Sequence, residues 1–105
     1  MTQFERISAD RALELINNGT AQVVDIRDKH SFDAGHVRGA YHLDNESVAT
    51  FMANADKTAP VIVCCYHGHS SQSAAAFLAE QGFEQSFSLD GGYEMWHILH
   101  PTEID

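Results

Sequence analysis

The chain has 105 residues, of which 44% are hydrophobic and 20% are charged, so it can bury one hydrophobic core but not two independent ones. We therefore expect a single domain spanning residues 1–105. Acidic residues outnumber basic residues by 15 to 6, the formal net charge is −9 with neutral histidines, and no Lys/Arg cluster is present, which argues against nucleic acid and anionic membranes as partners.

The first predicted elements are a helix and a strand. In the segment SADRALELINNG (8–19), apolar residues recur on one helical face, Ser8 is a favourable N-cap residue and Gly19 supplies a stop. The following segment QVVDIR (22–27) is short, β-branched and apolar, which predicts a buried strand.

The next predicted elements are short. In SFDAGHVRGAYHL (31–43), we expect a brief helical turn ended by Gly35 and then a small strand near residues 40–42. The segment ESVATFMANAD (46–56) predicts a second helix with less defined ends.

The strongest strand and the strongest helix follow one another. The β-branched run PVIVCC (60–65) predicts a buried strand. The alanine-rich segment SSQSAAAFLAEQG (70–82) predicts a helix, with Ser70 or Ser71 as its N-cap and Gly82 as its stop.

The C-terminal part completes the alternating pattern. A strand is predicted over SFSL (86–89), a turn over DGG (90–92) and a last helix over YEMWHIL (93–99). Three side chains of that helix are interpreted as core: Tyr93, Met95 and Trp96. Strands separated by helical segments predict an α/β fold, with a mainly parallel sheet covered by helices on both faces.

The sequence also bears on location. The opening MTQFERISAD has no apolar core of signal-peptide length, and no run approaches the roughly 20 apolar residues of a membrane span. The two cysteines are neighbours, Cys64 and Cys65, and a vicinal disulfide is strained. We therefore expect free thiols and a cytoplasmic protein with no membrane association.

Cys65 is the candidate nucleophile. It ends the predicted strand, and the turn 66–69 leads directly into the amino end of the next helix. Successive N–H groups of such a turn form an anion-binding concavity, for which Gly68 provides backbone freedom. The positive electrostatic potential of these N–H groups would lower the pKa of a cysteine thiol placed beside them. The alternative is a small core residue at a strand end; for Cys64, which points to the opposite face, that alternative is favoured.

Two other kinds of site use similar residues. His67 and His69 beside the cysteines suggest a metal, but Cys64 and Cys65 point apart and no CxxC or HxxxH pair completes a ligand shell. We expect no metal and histidines at the pocket mouth or in solvent. Cysteine phosphatases and arsenate reductases use the same strand, loop and helix, yet Ser71 occupies the position where phosphatases carry an arginine clamp.

Four segments in one order carry a family resemblance. They are VVDIRD (23–28), GHVRGAYHL (35–43), VIVCCYHGHSS (61–71) and LDGGYEMW (89–96). With a cysteine at the loop position, the chain resembles the single-domain rhodaneses over nearly its whole length. The resemblance implies that residues 1–105 form one rhodanese domain with the α/β rhodanese fold.

The resemblance also implies an activity. It predicts a thiosulfate sulfurtransferase without a cofactor, which moves the sulfane sulfur through a Cys65 persulfide and releases sulfite. The acceptor would be cyanide, a dithiol or thioredoxin, and the loop 65–70 would cradle the sulfur. The expected substrate-binding residues are Arg27, Tyr66, His67, Gly68, His69, Ser70 and Ser71. A non-catalytic rhodanese-like binding module is the alternative, and it would have lost the nucleophile.

Two positions depart from the family pattern. Many rhodaneses carry a cationic residue directly after the cysteine, where this chain has Tyr66. The frequent Glu-Phe pair is replaced by Ser31-Phe32. The first change weakens the expected binding of anionic donors.

Charged residues at the end of the first predicted strand are interpreted mainly as framework. Asp25 and Arg27 can pair with each other or with His36. Arg27 could also contribute positive potential to the site.

Overall fold

The computed structural model describes residues 3–105, and its centre is a five-stranded sheet in the order β1-β5-β4-β2-β3. All neighbouring strands are parallel. The strands are β1 (Glu5–Ile7), β2 (Gln22–Asp25), β3 (Tyr41–His42), β4 (Val61–Cys64) and β5 (Ser86–Leu89). Parallel pairing places every strand's carboxyl end at one edge of the sheet, where ligand sites of open α/β folds form.

Helices connect the strands, and the predicted alternation of elements is confirmed. They are α1 (Ala9–Asn17), α2 (Lys29–Ala34), α3 (Val48–Asn54), α4 (Ser70–Glu80) and α5 (Gly92–Leu99). The α1 prediction was close at both ends, because the Ser8 side chain accepts a hydrogen bond from the Arg11 amide and Gly19 adopts a positive φ of 74°.

The sheet buries a core on each face. Alternate residues of β4 separate cleanly between them: Ile62 and Cys64 belong to the core that contains Trp96. Val61 and Val63 belong to the core on the opposite face. Helices α1 and α5 supply the first core and α3 and α4 the second, so the predicted helical cover on both faces is present.

Two sequence expectations are wrong, and one strand lies where the sequence gives no prediction. The sequence does not predict strand β1, because two of its three residues are charged. The segment forms a strand by pairing with β5. Neither Ser70 nor Ser71 caps α4: His69 is the N-cap, and its side chain makes no capping hydrogen bond. Met95 is not a core residue, since 45% of it is exposed, whereas Trp96 is 1% exposed.

The described part of the chain bears on two further expectations. None of the helices within residues 3–105 is long and apolar enough to cross a membrane. Residues 1 and 2 lie outside the described residues. They belong to the expected domain 1–105 and to the opening segment in which the sequence predicts no signal peptide.

Candidate active site

Cys65 lies at the carboxyl edge of the sheet, directly after β4. The Cys64 carbonyl still accepts a hydrogen bond from the Ile26 amide at 2.9 Å, as in a regular parallel ladder. The Cys65 carbonyl instead accepts from the Tyr93 amide at 2.8 Å. The chain therefore leaves the sheet at Cys65, whose residue surface is only 3% exposed.

Two backbone amides and one hydroxyl converge on the sulfur of Cys65. The Gly68 amide lies 3.1 Å from Sγ and the Ser71 amide 3.3 Å from it. The Ser71 hydroxyl oxygen lies 3.2 Å from the same sulfur. Burial alone would raise the pKa of the Cys65 thiol, but the Ser71 hydroxyl and the amides of Ser71, Gly68 and His67 outweigh it and lower that pKa.

Gly68 permits this convergence because it has a left-handed backbone and tight surroundings. Its φ is +88°, and a Cβ at this position would lie 2.8 Å from the Gly91 nitrogen and 3.1 Å from the Leu89 oxygen. Only glycine fits both the conformation and the space. The predicted use of Gly68 for a close backbone approach is thus consistent with its geometry.

The amino end of α5 fixes the other side of the loop. Its Tyr93 and Glu94 amides donate to the carbonyls of Cys65 and Tyr66, at 2.8 and 3.1 Å. Gly92 makes this contact possible, because a Cβ there would lie 2.5 Å from the Cys65 oxygen and 2.5 Å from the Tyr66 oxygen. With these carbonyls held by α5, the loop amides are free to face the sulfur.

The loop side chains point to different environments. His67, His69 and Ser70 are exposed at the rim, as expected for the histidines. Ser71 is fully buried, at 0% exposure, with its hydroxyl turned towards Cys65. Sequence reasoning grouped these residues together, but the structure brings only Ser71 of this group into contact with the sulfur through its side chain.

The two departures from the family pattern contact one another. The Tyr66 hydroxyl donates to the Asp28 carboxylate and lies 3.2 Å from the Ser31 hydroxyl. Asp28 is also the N-cap of α2 and accepts from the Ser31 amide. Tyr66 therefore anchors the loop to α2, a link that the sequence did not indicate.

Arg27 pairs with Asp25. The ion pair is buried, with Nη2 2.8 Å from Oδ2, and Nη2 also donates to the Gly35 carbonyl at 2.7 Å. Burial alone would lower the pKa of Arg27, but the bonds to Asp25 hold that pKa above its ordinary value. His36 does not share in the pair, since its Nδ1 contacts the Phe32 carbonyl. The framework interpretation of Arg27 fits this geometry.

Cys64 occupies the opposite side of the strand. Its thiol is fully buried in the core with Trp96. Burial, and secondly the Asp25 carboxylate, raise the pKa of Cys64 well above its ordinary value. Cys64 is thus a neutral core thiol, while Cys65 has the environment of a thiolate.

Within residues 3–105, we find no group of three or more His, Cys, Asp or Glu side chains that could hold a metal ion.

Comparisons with known proteins define the class of this fold and site. The Rhodanese-like domain family matches residues 8–99, and the chain belongs to this family. A rhodanese-related protein from Thermoplasma volcanium has the same fold, with a TM-score of 0.76, 21% identity, and coverage of 92% of this chain and 94% of that chain. The predicted α/β rhodanese fold is thereby confirmed.

Relatives with higher sequence identity carry the name of an activity. A protein of Pseudomonas putida strain F1, named thiosulfate sulfurtransferase GlpE, is 56% identical over 103 residues, covering 98% of this chain and 94% of its own length. The protein of the same name from Stutzerimonas stutzeri is 53% identical over 105 residues, covering 100% of this chain and 95% of its own length. The similarity therefore extends over both the fold and the complete Cys65 loop.

Proposed function

We propose that this protein is an enzyme, a thiosulfate sulfurtransferase of the rhodanese type. The observation that carries the proposal is the convergence of two amides and one hydroxyl on the buried Cys65 sulfur. The names of relatives 53 to 57% identical support the substrate class. We further propose that residues 1–105 act as one rhodanese domain.

Cys65 is the proposed nucleophile, and the reaction has two steps. Its thiolate attacks the outer sulfur of thiosulfate, a sulfur–sulfur bond forms, and the original sulfur–sulfur bond breaks so that sulfite leaves with the electron pair. An acceptor nucleophile then attacks the outer sulfur of the Cys65 persulfide, and the Cys65 thiolate leaves. This is covalent catalysis of the ping-pong type, and no cofactor is needed to balance it.

The loop supplies electrostatics rather than proton transfer. The lowered pKa of Cys65 increases the fraction of thiolate, which favours attack without a general base. Amides of Gly68 and Ser71 that already face the sulfur would also stabilise the transferred sulfur. The exposed rim residues His67, His69 and Ser70 are proposed to line the path of the substrate.

Tyr66 and Arg27 have a supporting place in this proposal. Tyr66 stands where many rhodaneses have a cation, and its hydroxyl is bound to a carboxylate, that of Asp28. Arg27 lies with its guanidinium carbon 4.1 Å from the ring centroid of Tyr93 and is neutralised by Asp25. Attraction of the dianionic donor thus depends mainly on backbone amides.

The acceptor class follows from the chemistry of a persulfide. Its outer sulfur is attacked by thiophilic nucleophiles, so cyanide, a small dithiol or the dithiol of thioredoxin are the proposed acceptors. A cytoplasmic location is also proposed, because both cysteines are free thiols and such thiols persist in reducing compartments.

Product analysis tests the proposed activity. Purified protein is incubated with thiosulfate and cyanide, and thiocyanate and sulfite are measured over time. The proposal predicts equimolar thiocyanate and sulfite that depend on the protein and disappear in Cys65→Ser. A wild-type protein that forms neither thiocyanate with cyanide nor sulfide with dithiothreitol as the acceptor would refute it.

A further inference from the structure

Two buried hydroxyls form a short chain of contacts that leads to the Cys65 sulfur. Ser71 on α4 and Ser88 on β5 are both 0% exposed. The Ser71 oxygen lies 3.2 Å from the Cys65 sulfur and 2.8 Å from the Ser88 oxygen. Ser88 faces α4 because alternate residues of β5 do so: the Ser86 hydroxyl, two positions earlier, donates to the Ala75 carbonyl of α4 at 2.7 Å.

Ser71 is the only hydrogen-bond partner of the Ser88 hydroxyl in the part of the chain that the structure describes. A hydroxyl carries one hydrogen and can accept through its oxygen. A buried hydroxyl hydrogen without an acceptor is unfavourable. The Ser88 hydrogen is therefore satisfied when it is donated to Ser71.

The direction of this chain of hydrogen bonds depends on whether Cys65 is a thiolate or a thiol. When Ser88 donates to Ser71, the single hydrogen of Ser71 is free to point at Cys65, where a thiolate accepts it. When a Cys65 thiol donates to Ser71, the Ser71 hydrogen turns to the Ser88 oxygen and the Ser88 hydrogen has no acceptor. All hydrogens are used only in the first direction, which ends on a charged acceptor and forms the stronger bonds.

We propose that Ser88 is a positioning residue: it donates its hydrogen to Ser71 and thereby directs the Ser71 hydrogen onto the Cys65 sulfur, which favours the thiolate. The proposal rests on the proposed function, where that thiolate is the nucleophile. The Ser71 hydroxyl is the largest of the contacts that lower the pKa of Cys65, which is consistent with this role.

The titratable groups on the strand side of Cys65 are neutral or compensated by a partner, so the Ser71 and Ser88 hydroxyls remain to favour the thiolate. Cys64, the neighbour on β4, is neutral because burial raises its pKa. On β2, Asp25 and Arg27 compensate each other in a buried pair, and both charges act on Cys64.

Charged groups on the loop and helix side are exposed or paired. The His67, His69 and Glu94 side chains are exposed to solvent. Asp90, which follows β5, is paired with Arg6 at 2.7 Å. The first turn of α4 carries no acidic residue.

The test measures the thiolate directly. The rate of alkylation of Cys65 by iodoacetamide is recorded against pH by mass spectrometry of the Cys65 peptide, for the wild-type protein and for Ser88→Ala. We expect the midpoint of the Ser88→Ala profile to lie higher by about 0.5 to 1 pH unit, so that alkylation below both midpoints slows by about 3- to 10-fold.

Ser86→Ala is the matched control. It removes a buried hydroxyl from the same strand and the same face, but its hydrogen bond goes to Ala75 and not to the Cys65 site. Ser86→Ala should keep the wild-type midpoint even if it lowers the melting temperature. Ser71→Ala should raise the midpoint, and adding Ser88→Ala to it should change nothing more, because the link to the sulfur is already lost.

Several results would overturn the proposal. They are an unshifted midpoint in Ser88→Ala, an equal shift in Ser86→Ala, or a full additional shift in the Ser71→Ala background. If Ser88→Ala does not fold, Ser88→Cys replaces the hydroxyl by a weaker donor of similar size, and the midpoint should again rise, by less. No rise in that variant contradicts the proposal. Alkylation needs no sulfur donor, so failure here is distinguishable from failure of the sulfurtransferase activity.

Discussion

Adjacent cysteines of this chain have opposite chemistry because the strand alternates. Cys64 points into the core with Trp96, and burial raises its pKa. Cys65 leaves the sheet and meets the Gly68 and Ser71 amides, and its pKa is lowered although burial opposes this. One step along the backbone therefore separates a core side chain from the proposed nucleophile.

Matched serine substitutions test this assignment. Cys65→Ser should abolish thiocyanate formation, because the hydroxyl that replaces the thiol is not ionised at neutral pH. Cys64→Ser should keep most of the activity and lower the free energy of unfolding by about 1–3 kcal/mol, since it buries a hydroxyl in an apolar core. Thiocyanate assays and urea unfolding measure the two effects. An inactive but folded Cys64→Ser beside an active Cys65→Ser would reverse the assignment.

The lowered pKa of Cys65 also predicts a pH dependence. Iodoacetamide should alkylate Cys65 in the wild-type protein at a pH below about 8.5, the ordinary thiol value. Because the folded pKa lies below the unfolded one, the thiolate contributes stability that is fully present above the unfolded pKa of about 8.5 and is lost as pH falls through the folded value. An alkylation rate that rises only above about pH 8.5 would contradict the amide cradle.

Helix α5 shapes the site through its backbone. Its first amides bind the carbonyls of Cys65 and Tyr66, and Gly92, the first residue of the helix, allows the contact. The loop thus lies between the amino ends of two helices, α4 behind the sulfur and α5 beneath the carbonyls. Its shape depends on the packing of both.

Glycine-to-alanine substitutions separate this role from general strain. Gly92→Ala and Gly39→Ala both place a side chain at a positive φ, 58° and 80°, but only Gly92 faces loop atoms, at 2.5 Å, while Gly39 has open space. Both substitutions should lower the free energy of unfolding by roughly 1–2 kcal/mol, because each places a side chain on a left-handed backbone. Gly92→Ala should also lose about 100-fold in kcat/KM through displacement of the loop. Equal kinetics in the two variants would remove α5 from the mechanism.

The elements that sequence patterns predicted are those with strong local signals. The β-branched β4 and the alanine-rich α4 follow directly from residue type. Strand β1 is different, because Glu5 and Arg6 are exposed and the segment is extended only through its pairing with β5. An edge strand of this length has too little pattern to be predicted without its partner.

The site was predicted less completely than the fold for a similar reason. The position of Cys65 and the glycine of its loop follow from a strand, a turn and a helix in sequence. The sequence predicts Ser71 as one of two candidate caps and as a substrate-binding residue, but it does not indicate the contact of its hydroxyl with Ser88, at 2.8 Å. That contact spans 17 residues of sequence, and it forms because α4 packs against β5.

At the scale of the whole molecule, charge opposes the proposed substrate. The formal net charge is −9, and the molecule measures 34 × 27 × 24 Å, so every surface charge lies within a few Debye lengths of Cys65 at about 0.1 M salt. Thiosulfate is a dianion, while the attraction available in the loop comes from short-range amide contacts. Long-range and short-range forces therefore act in opposite directions.

This opposition predicts the effect of salt. Raising ionic strength from about 0.01 to 0.1 M shortens the Debye length from about 30 to 10 Å, which screens the repulsion and leaves the amide contacts nearly intact. The KM for thiosulfate should fall by about twofold or more. Steady-state kinetics in several salts, with a bulky and weakly coordinating anion as reference, measure the effect. A KM that rises equally in every salt would show that side-chain cations dominate capture.

Detection of the intact persulfide tests whether the transferred sulfur passes through Cys65. The protein is treated briefly with thiosulfate in the absence of an acceptor, digested at low pH, and analysed by mass spectrometry. We expect one added sulfur atom on Cys65, none on Cys64, and loss of the added sulfur when cyanide is supplied. An unmodified Cys65 in protein that still forms thiocyanate, or a sulfur carried by Cys64, would contradict this expectation.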